Sequence, residues 1–266
     1  MVTGKKTDLD RYLEHLDHPA TVHLGILLQA TSYTLCFSTI DRDAEMHIYR
    51  ESLSDSRLNE RFSTIGKDFG SVTVYSSSKE VTLVPDGLFD PSRKEEYLTL
   101  IFGQGRRKVA STHIENLDLH SIYSLEDEVY QELMGFFPQI KVKHASDPVL
   151  TQAWVNQSFS SDHLFRLHVL DQQLFAMVFK GKELRLFNVF DIPDDTDLVY
   201  HTLNIIHGMR VDHAQAVIVI SGECSDSDSG HKLLKTYCPR LQYLSGPVDS
   251  QGIGEFSLTH YRYCES

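Results

Sequence analysis

The residues most able to do chemistry lie in VIVISGECSDSDSG, positions 217–230. The β-branched run predicts a buried strand, Ser221-Gly222 ends it, and HKLLKTYC predicts a helix downstream. A strand, a glycine turn and a helix N-terminus can together present backbone N–H groups to a nucleotide phosphate. Against that chemistry, Glu223, Asp226 and Asp228 put negative charge beside any phosphate, which repulsion disfavours unless a metal intervenes. The rival motifs are weaker. GQGRRK (103–108) is Gly-rich and basic but lacks the Lys-Ser/Thr ending of a phosphate loop, and QGIGEF (251–256) reads as a turn. Ser221-Gly222 lacks the preceding glycine of a nucleophile elbow. DSDSG lacks the other ligands and the closing Glu of a calcium loop. None of the 14 histidines falls in HExxH or HxH. His15 and His18 are spaced for one helix face and read as surface histidines, so no metal site is expected.

The bulk properties narrow the function classes. The chain has 266 residues, 41% of them hydrophobic, enough for a large core in one unit or two lobes. Its net charge of −12 is spread along the sequence and disfavours nucleic acid as a partner. The one basic cluster, Arg106-Arg107-Lys108, sits beside Gly103 and Gly105 and reads as a solvated turn. No apolar stretch is long enough to enter a bilayer, and MVTGKKTDLDRYLEHL has no signal core, so a cytoplasmic location is expected. Cys36, Cys224, Cys238 and Cys264 form no CxxC pair, which argues against a zinc or redox motif. Cys36 suits a reduced, buried thiol.

These residues must be positioned by the elements around them. TDLDRYLEHL predicts an amphipathic helix with Thr7 and Asp10 as a capping box. TVHLGILL (21–28), YTLCFSTI (33–40) and EMHIYRES (45–52) predict an antiparallel meander. A helix over about 55–67 carries Leu58, Phe62 and Ile65 on one face, and the strand SVTVYSSS follows. Farther on, Asp90, Pro91 and Gly103 bracket a helix as N-cap, first position and stop. The strand LDLHSIYS leads to a helix with Ser124 and Asp127 as a capping box and Pro138 at its end. QIKVKHAS predicts a strand, and a helix from Asp147-Pro148 carries Trp154 and Phe159 into the space between two lobes. The second half restarts the pattern. HLFRLHVL (163–170), LFAMVFKG (174–181) and ELRLFNVF (183–190) form a meander, a helix spans Asp195 to Met209, and AVIVISG follows. A β-β-β-α-β unit thus occurs twice, in element order and not in residues.

That duplication resembles the actin-like ATPase superfamily, which includes sugar kinases, the seventy-kilodalton heat-shock chaperones, actin and a cell-division protein. More narrowly, TLVPDGLFDPSRKEEYL (82–98) and LFNVFDIPDDTDLVYHTLNII (186–206) look like an uncharacterised Bacteroidetes family with that fold. The resemblance implies an α/β fold of two ribonuclease-H-like lobes, each a mixed sheet flanked by helices, over residues 1–160 and 161–266. It marks Pro85, Phe89, Asn188, Phe190, Asp197 and Tyr200 as structural positions. Asp197, in the first turn of its helix, is expected to satisfy free N–H groups there. Similar lobes occur in cytoplasmic assembly proteins of type IV pili and type II secretion.

Active members of the superfamily carry an acidic residue and glycines where the first meander strand turns into the second. The carboxylate holds magnesium or its water, and the glycines admit phosphate to the backbone N–H groups. Here the first turn reads LLQATSYTL, with uncharged Gln29 and no glycine. In the second, HVLDQQLFAM, Asp171 is at the carboxylate position but Gln172 and Gln173 crowd the backbone. Of the paired glycines expected of the adenosine loop, only Gly222 remains, between Ser221 and Glu223. The expectation is a catalytically inactive adaptor or assembly protein with no cofactor and no catalytic residue, working through an unidentified protein partner or a homodimer. The alternative is a divergent ATPase or kinase that binds ATP and magnesium through Gln29, Asp171, Ser221 and Gly222.

Overall fold

The structure, a computed structural model, describes residues 7–39, 46–52, 62–63, 65, 68–125, 127–155, 163–224 and 227–244. Leu58, Phe159, Asp226, Cys264 and QGIGEF lie outside these residues, as does most of the helix expected over 55–67. Within that span, Phe62 and Ile65 are helical and fully buried.

The chain opens with helix α1 (Asp8–Glu14), closed by the expected capping box of Thr7 and Asp10. The helix ends before His15, so His15 and His18 share no helix face; the His15 ring instead contacts the Arg11 carbonyl. Strands β1 (Val22–Leu28), β2 (Ser32–Thr39) and β3 (Met46–Ser52) form an antiparallel meander. Strand β4 (Ser71–Ser76) joins β1 in parallel. Next come β5 (Val81–Pro85), α2 (Lys94–Phe102), β6 (Lys108–Ile114), β7 (Leu119–Leu125) and α3 (Asp127–Phe136). Strand β8 (Ile140–His144) then returns parallel to β4, and α4 (Ser146–Val155) leads away. The second half repeats the opening with β9 (His163–Leu170), β10 (Gln173–Lys180), β11 (Glu183–Asp191), α5 (Asp195–Gly208) and β12 (Val217–Gly222). Helix α6 (Ser229–Tyr237) and strand β13 (Leu241–Tyr243) follow as the last elements among the described residues.

Among the described residues two five-stranded sheets result, ordered β3-β2-β1-β4-β8 and β11-β10-β9-β12-β13. Strands β1 and β9 are therefore equivalent central strands, each flanked by an antiparallel neighbour and a parallel one. Both strands are buried on both faces, and their mostly apolar sequences also carry buried His23, Arg166 and His168. The first unit carries an insertion between β4 and β8, a three-stranded sheet β5-β7-β6 backed by α2.

One apolar layer joins α1, Phe62, Ile65 and α3 to the outer face of the first sheet, and another joins α5 and α6 to the second. Between the sheets lies a third, in which Leu27, Cys36, Tyr75, Phe175, Met177 and Phe179 enclose α4. Helix α4 is buried over Ser146–Ala153 and acts as the wedge between the sheets. Trp154 packs at the margin of that layer, with the Lys182 ammonium 4.0 Å from its ring centroid.

Three expectations are corrected. Ser124 is not a helix cap, because β7 runs on to Leu125 and the Ser124 hydroxyl meets the Ser78 hydroxyl at 2.6 Å. Arg106-Arg107-Lys108 is no simple solvated turn: the Arg107 side chain is only 11% exposed, beside Glu80, and donates to the Gly103 carbonyl. Lys108 begins β6, an insertion strand that the sequence pattern did not signal, and its ammonium sits over the Tyr130 ring. Finally, Pro91–Arg93 forms one 3₁₀ turn capped by Asp90, and the α-helix proper starts only at Lys94.

Candidate functional site

The C-terminal ends of the parallel strands converge on the β1–β2 and β9–β10 hairpin turns, as they do in α/β folds that bind ligands at strand carboxyl ends. Asp171 and Gln172 form a tight turn, with φ of 53° and 57°, a backbone that favours a small polar residue such as Asp. At the end of β12, Gly222 has φ of 94°, and a Cβ there would lie 2.0 Å from the Val169 carbonyl oxygen. Glycine is therefore needed for β12 to run beside β9 and to turn Glu223 back over the hairpin.

Glu223 is the hub of the polar groups gathered at these turns. One carboxylate oxygen accepts from the backbone N–H of Asp171 at 2.7 Å. The other accepts from Gln29 Nε2 at 3.0 Å and pairs with the Arg50 guanidinium. Asp171 in turn reaches across to the opposite hairpin, where its carboxylate accepts from the Ala30 N–H at 2.7 Å. The Gln29 amide oxygen takes Arg50 Nη2 at 3.2 Å and the Ser32 hydroxyl at 3.1 Å. Residues of β1–β2, β3, β9–β10 and β12 thus form one polar network that ties the two sheets together. The Arg50 and Glu223 side chains are 37% and 27% exposed, so water reaches the network without separating it.

Of the four residues expected to hold a nucleotide, Gln29, Asp171 and Gly222 do come together. Ser221 does not share in the network: it is fully buried, and its hydroxyl is 3.0 Å from His168 Nδ1. Arg50 was not singled out by the sequence, because its partner is 173 positions away and only the β2–β3 register brings it to the turn.

Beside the network opens a cleft of about 440 Å³, lined by Ser76, Ser77, Ser78, Lys79, Arg106 and Asp191 among others. Lys79 and Asp191 pair across it at 3.0 Å. Below its floor is a dry cluster. His144 Nε2 lies 2.8 Å from the Ser78 carbonyl, His144 Nδ1 is 2.7 Å from the Ser146 hydroxyl, and Asp147 accepts from the His144 N–H at 3.0 Å. Burial pushes the Asp147 carboxyl up to about 7 and, with the opposite sign for a base, the His144 imidazole down to about 4.

A second concavity, of about 860 Å³, runs between β5 and β11, each the edge strand of its own sheet. Its lining is largely apolar, including Leu83, Phe102, Leu117, Trp154, Leu186 and Phe187. Pro85 and Asn188 lie on this groove. Phe89 stacks on His120 at 3.7 Å, and Phe190 packs against the second sheet's core and stacks on His201 at 4.4 Å. Asp197 does not satisfy the free N–H groups of its helix; Asp194 caps α5, accepting from the N–H groups of Thr196 and Asp197. Tyr200 is 62% exposed and touches His201 edge-on, so packing does not explain it. Among the described residues, Asp86, His113 and His120 form a group that could hold a metal ion.

A family described as a protein of unknown function (DUF3822) has a model that matches residues 26–241 of this chain. No curated protein matches. A solved protein from Bacteroides thetaiotaomicron, with an actin-like ATPase fold and unknown function, is 14% identical. It superposes with a TM-score of 0.81 over 94% of this chain and 99% of its own. A PilM–PilN type IV pilus biogenesis complex contains a chain 12% identical, with a TM-score of 0.55 over 92% of this chain and 99% of its own. At these identities the likeness shows a shared fold. No helix among the described residues is long and apolar enough to cross a membrane.

Proposed function

The chain belongs to the DUF3822 family of proteins of unknown function, and we propose that it is a non-catalytic actin-like protein that works through protein contacts. One observation carries this reading. The Asp171 and Glu223 carboxylates take the loop N–H groups of Ala30 and Asp171, the kind of donor that an active member of the fold offers to phosphate. A nucleotide would have to displace two carboxylates and the Arg50 pairing at once, and would gain no glycine-lined approach in return.

Calorimetry with magnesium-ATP tests it. The expected result is no binding at micromolar nucleotide and no hydrolysis. Micromolar affinity that disappears in Asp171→Ala would overturn the reading and favour a divergent ATPase or kinase.

The β5–β11 groove is the favoured contact surface, and its occupant in this reading is an extended segment of a partner protein. Both walls are edge strands whose outer backbone groups can accept another strand, while the apolar lining supplies side-chain pockets. The similar PilM chain is found in a complex with PilN, which agrees with a protein-binding role for this architecture. A photo-crosslinking residue at exposed Asn188, with one at Tyr200 as control, would capture that segment in cells. The synthetic segment should then bind the wild type and fail to bind Leu186→Asp. Crosslinking to a second copy of the chain would make the surface a homodimer interface instead.

A further inference from the structure

We propose that Asp86, His113 and His120 form a binding site for a borderline divalent transition metal such as zinc. The three residues come from different elements of the insertion sheet. Asp86 follows the last residue of β5, His113 is on β6 and His120 on β7. His113 and His120 are direct partners across the antiparallel β6–β7 pair, so their side chains rise side by side from one face. Their rings stack with centroids 4.6 Å apart and planes 18° from parallel. His120 Nε2 is 2.8 Å and His113 Nε2 is 3.8 Å from the same oxygen, Asp86 Oδ1. The three donor atoms all lie within 4.8 Å of one another.

Two imidazoles and one carboxylate are a donor set that suits zinc and its neighbours in the first transition row. Metal–nitrogen and metal–oxygen bonds of about 2.0–2.1 Å put tetrahedral donors about 3.3 Å apart, a value that the present 2.8 and 3.8 Å bracket. The stacked rings do not yet aim both lone pairs at one point, and rotating the exposed His113 side chain out of the stack closes the shell. Two parts of the triad are already held in place. Phe89 stacks on the His120 ring at 3.7 Å and 13°, and the Asp86 N–H is tied to the Asp118 carbonyl at 2.9 Å. Side-chain exposure of 13% for His120, 42% for His113 and 59% for Asp86 leaves one side open, where water completes the coordination.

The bound ion would clip the end of β5 to the β6–β7 hairpin. The test is a titration of the metal-stripped full chain with zinc chloride by calorimetry, repeated with cobalt(II) chloride while its visible d–d absorption is followed. The expected result is one site per chain with a dissociation constant of about a micromolar, a tetrahedral or five-coordinate cobalt spectrum, and a higher melting temperature with zinc. His113→Ala and His120→Ala should each weaken binding by at least the roughly 10–100-fold that loss of an outer-shell partner costs. His207→Ala, an exposed histidine on α5, should leave it unchanged and so separates this site from adventitious histidine binding. His113 is exposed enough that its loss should leave the apo melting temperature in place, which keeps a misfolded variant from imitating a lost ligand. Unaltered zinc affinity in His113→Ala and His120→Ala overturns the proposal, and so does no binding by the wild type at about 100 µM zinc.

Discussion

Two polar clusters lie at the carboxyl ends of the parallel strands, and they solve the problem of polar groups in opposite ways. In the network of Gln29, Arg50, Asp171 and Glu223, water reaches the side chains, and each is paired or hydrogen-bonded. In the cluster of His144, Ser146 and Asp147, beneath the floor of the neighbouring cleft, no water reaches the side chains. There burial works against the charged forms instead, raising Asp147 to about 7 and lowering His144 to about 4. The first cluster gives electrostatic cohesion that salt can weaken, and the second gives a pH dependence that salt should hardly touch.

Asp147→Asn should have the largest effect on this contrast. A carboxyl whose folded pKa is raised contributes stability that is full below its unfolded value near 4 and is lost as pH rises through about 7. An imidazole whose folded pKa is lowered contributes stability that is full above about 6.5 and is lost as pH falls through about 4. Between pH 4 and 6.5 the two slopes oppose each other and cancel, at about 1.4 kcal/mol per pH unit each. Removing the carboxyl unmasks the imidazole. Chemical denaturation of Asp147→Asn across this range should therefore gain about 3–4 kcal/mol relative to the wild type. Parallel pH profiles for the two proteins would remove the distinction between the clusters.

Next in size is Gly222→Ala, which alters the turn that delivers Glu223 to the open network. A left-handed φ and a Cβ 2.0 Å from Val169 O should cost about 3 kcal/mol in urea denaturation. A cost under about 1 kcal/mol would mean that β12 can shift without the network.

Arg50→Ala should cost about 1 kcal/mol at low salt and less at high salt, since the pair is partly exposed and Glu223 keeps the Gln29 and Asp171 donors. A larger, salt-independent cost would make the open network behave like the dry one. Lys79→Ala removes the largely exposed pair with Asp191 across the cleft and should change stability by less than about 0.5 kcal/mol.

Much of the fold is legible in the sequence because it rests on local signals. The buried runs of β1, β9 and β12 are written in β-branched and aliphatic residues, and the Thr7 and Asp10 cap is written in its spacing. Strand β6 is not legible, because KVASTHI lies half-buried in a small insertion sheet and shows neither an apolar run nor a clean alternation. Ser124 misleads for a related reason. Its spacing to Asp127 fits a helix cap, yet pairing of β7 with β6 holds Ser124 in extended backbone.

Of the candidate site, the sequence supplied some members, and the structure added Arg50, left out Ser221 and supplied the partners. Gln29 could be found as a departure from a phosphate-binding pattern at strand ends, and Asp171 and Gly222 as what remains of it. That Glu223 would bridge Gln29, Arg50 and the Asp171 N–H depends on strand registers and on the packing of one sheet against the other through α4. The same holds for Asp86, His113 and His120, which no motif spacing joins, and for Asp147, whose protonation is set by burial. By itself the sequence determined the order of elements and the duplicated unit, since helix and strand preferences act over a few neighbouring residues. Which polar groups meet, and which are sealed from water, only the tertiary structure decided. Those outcomes depend on distances of a few ångströms between residues many positions apart.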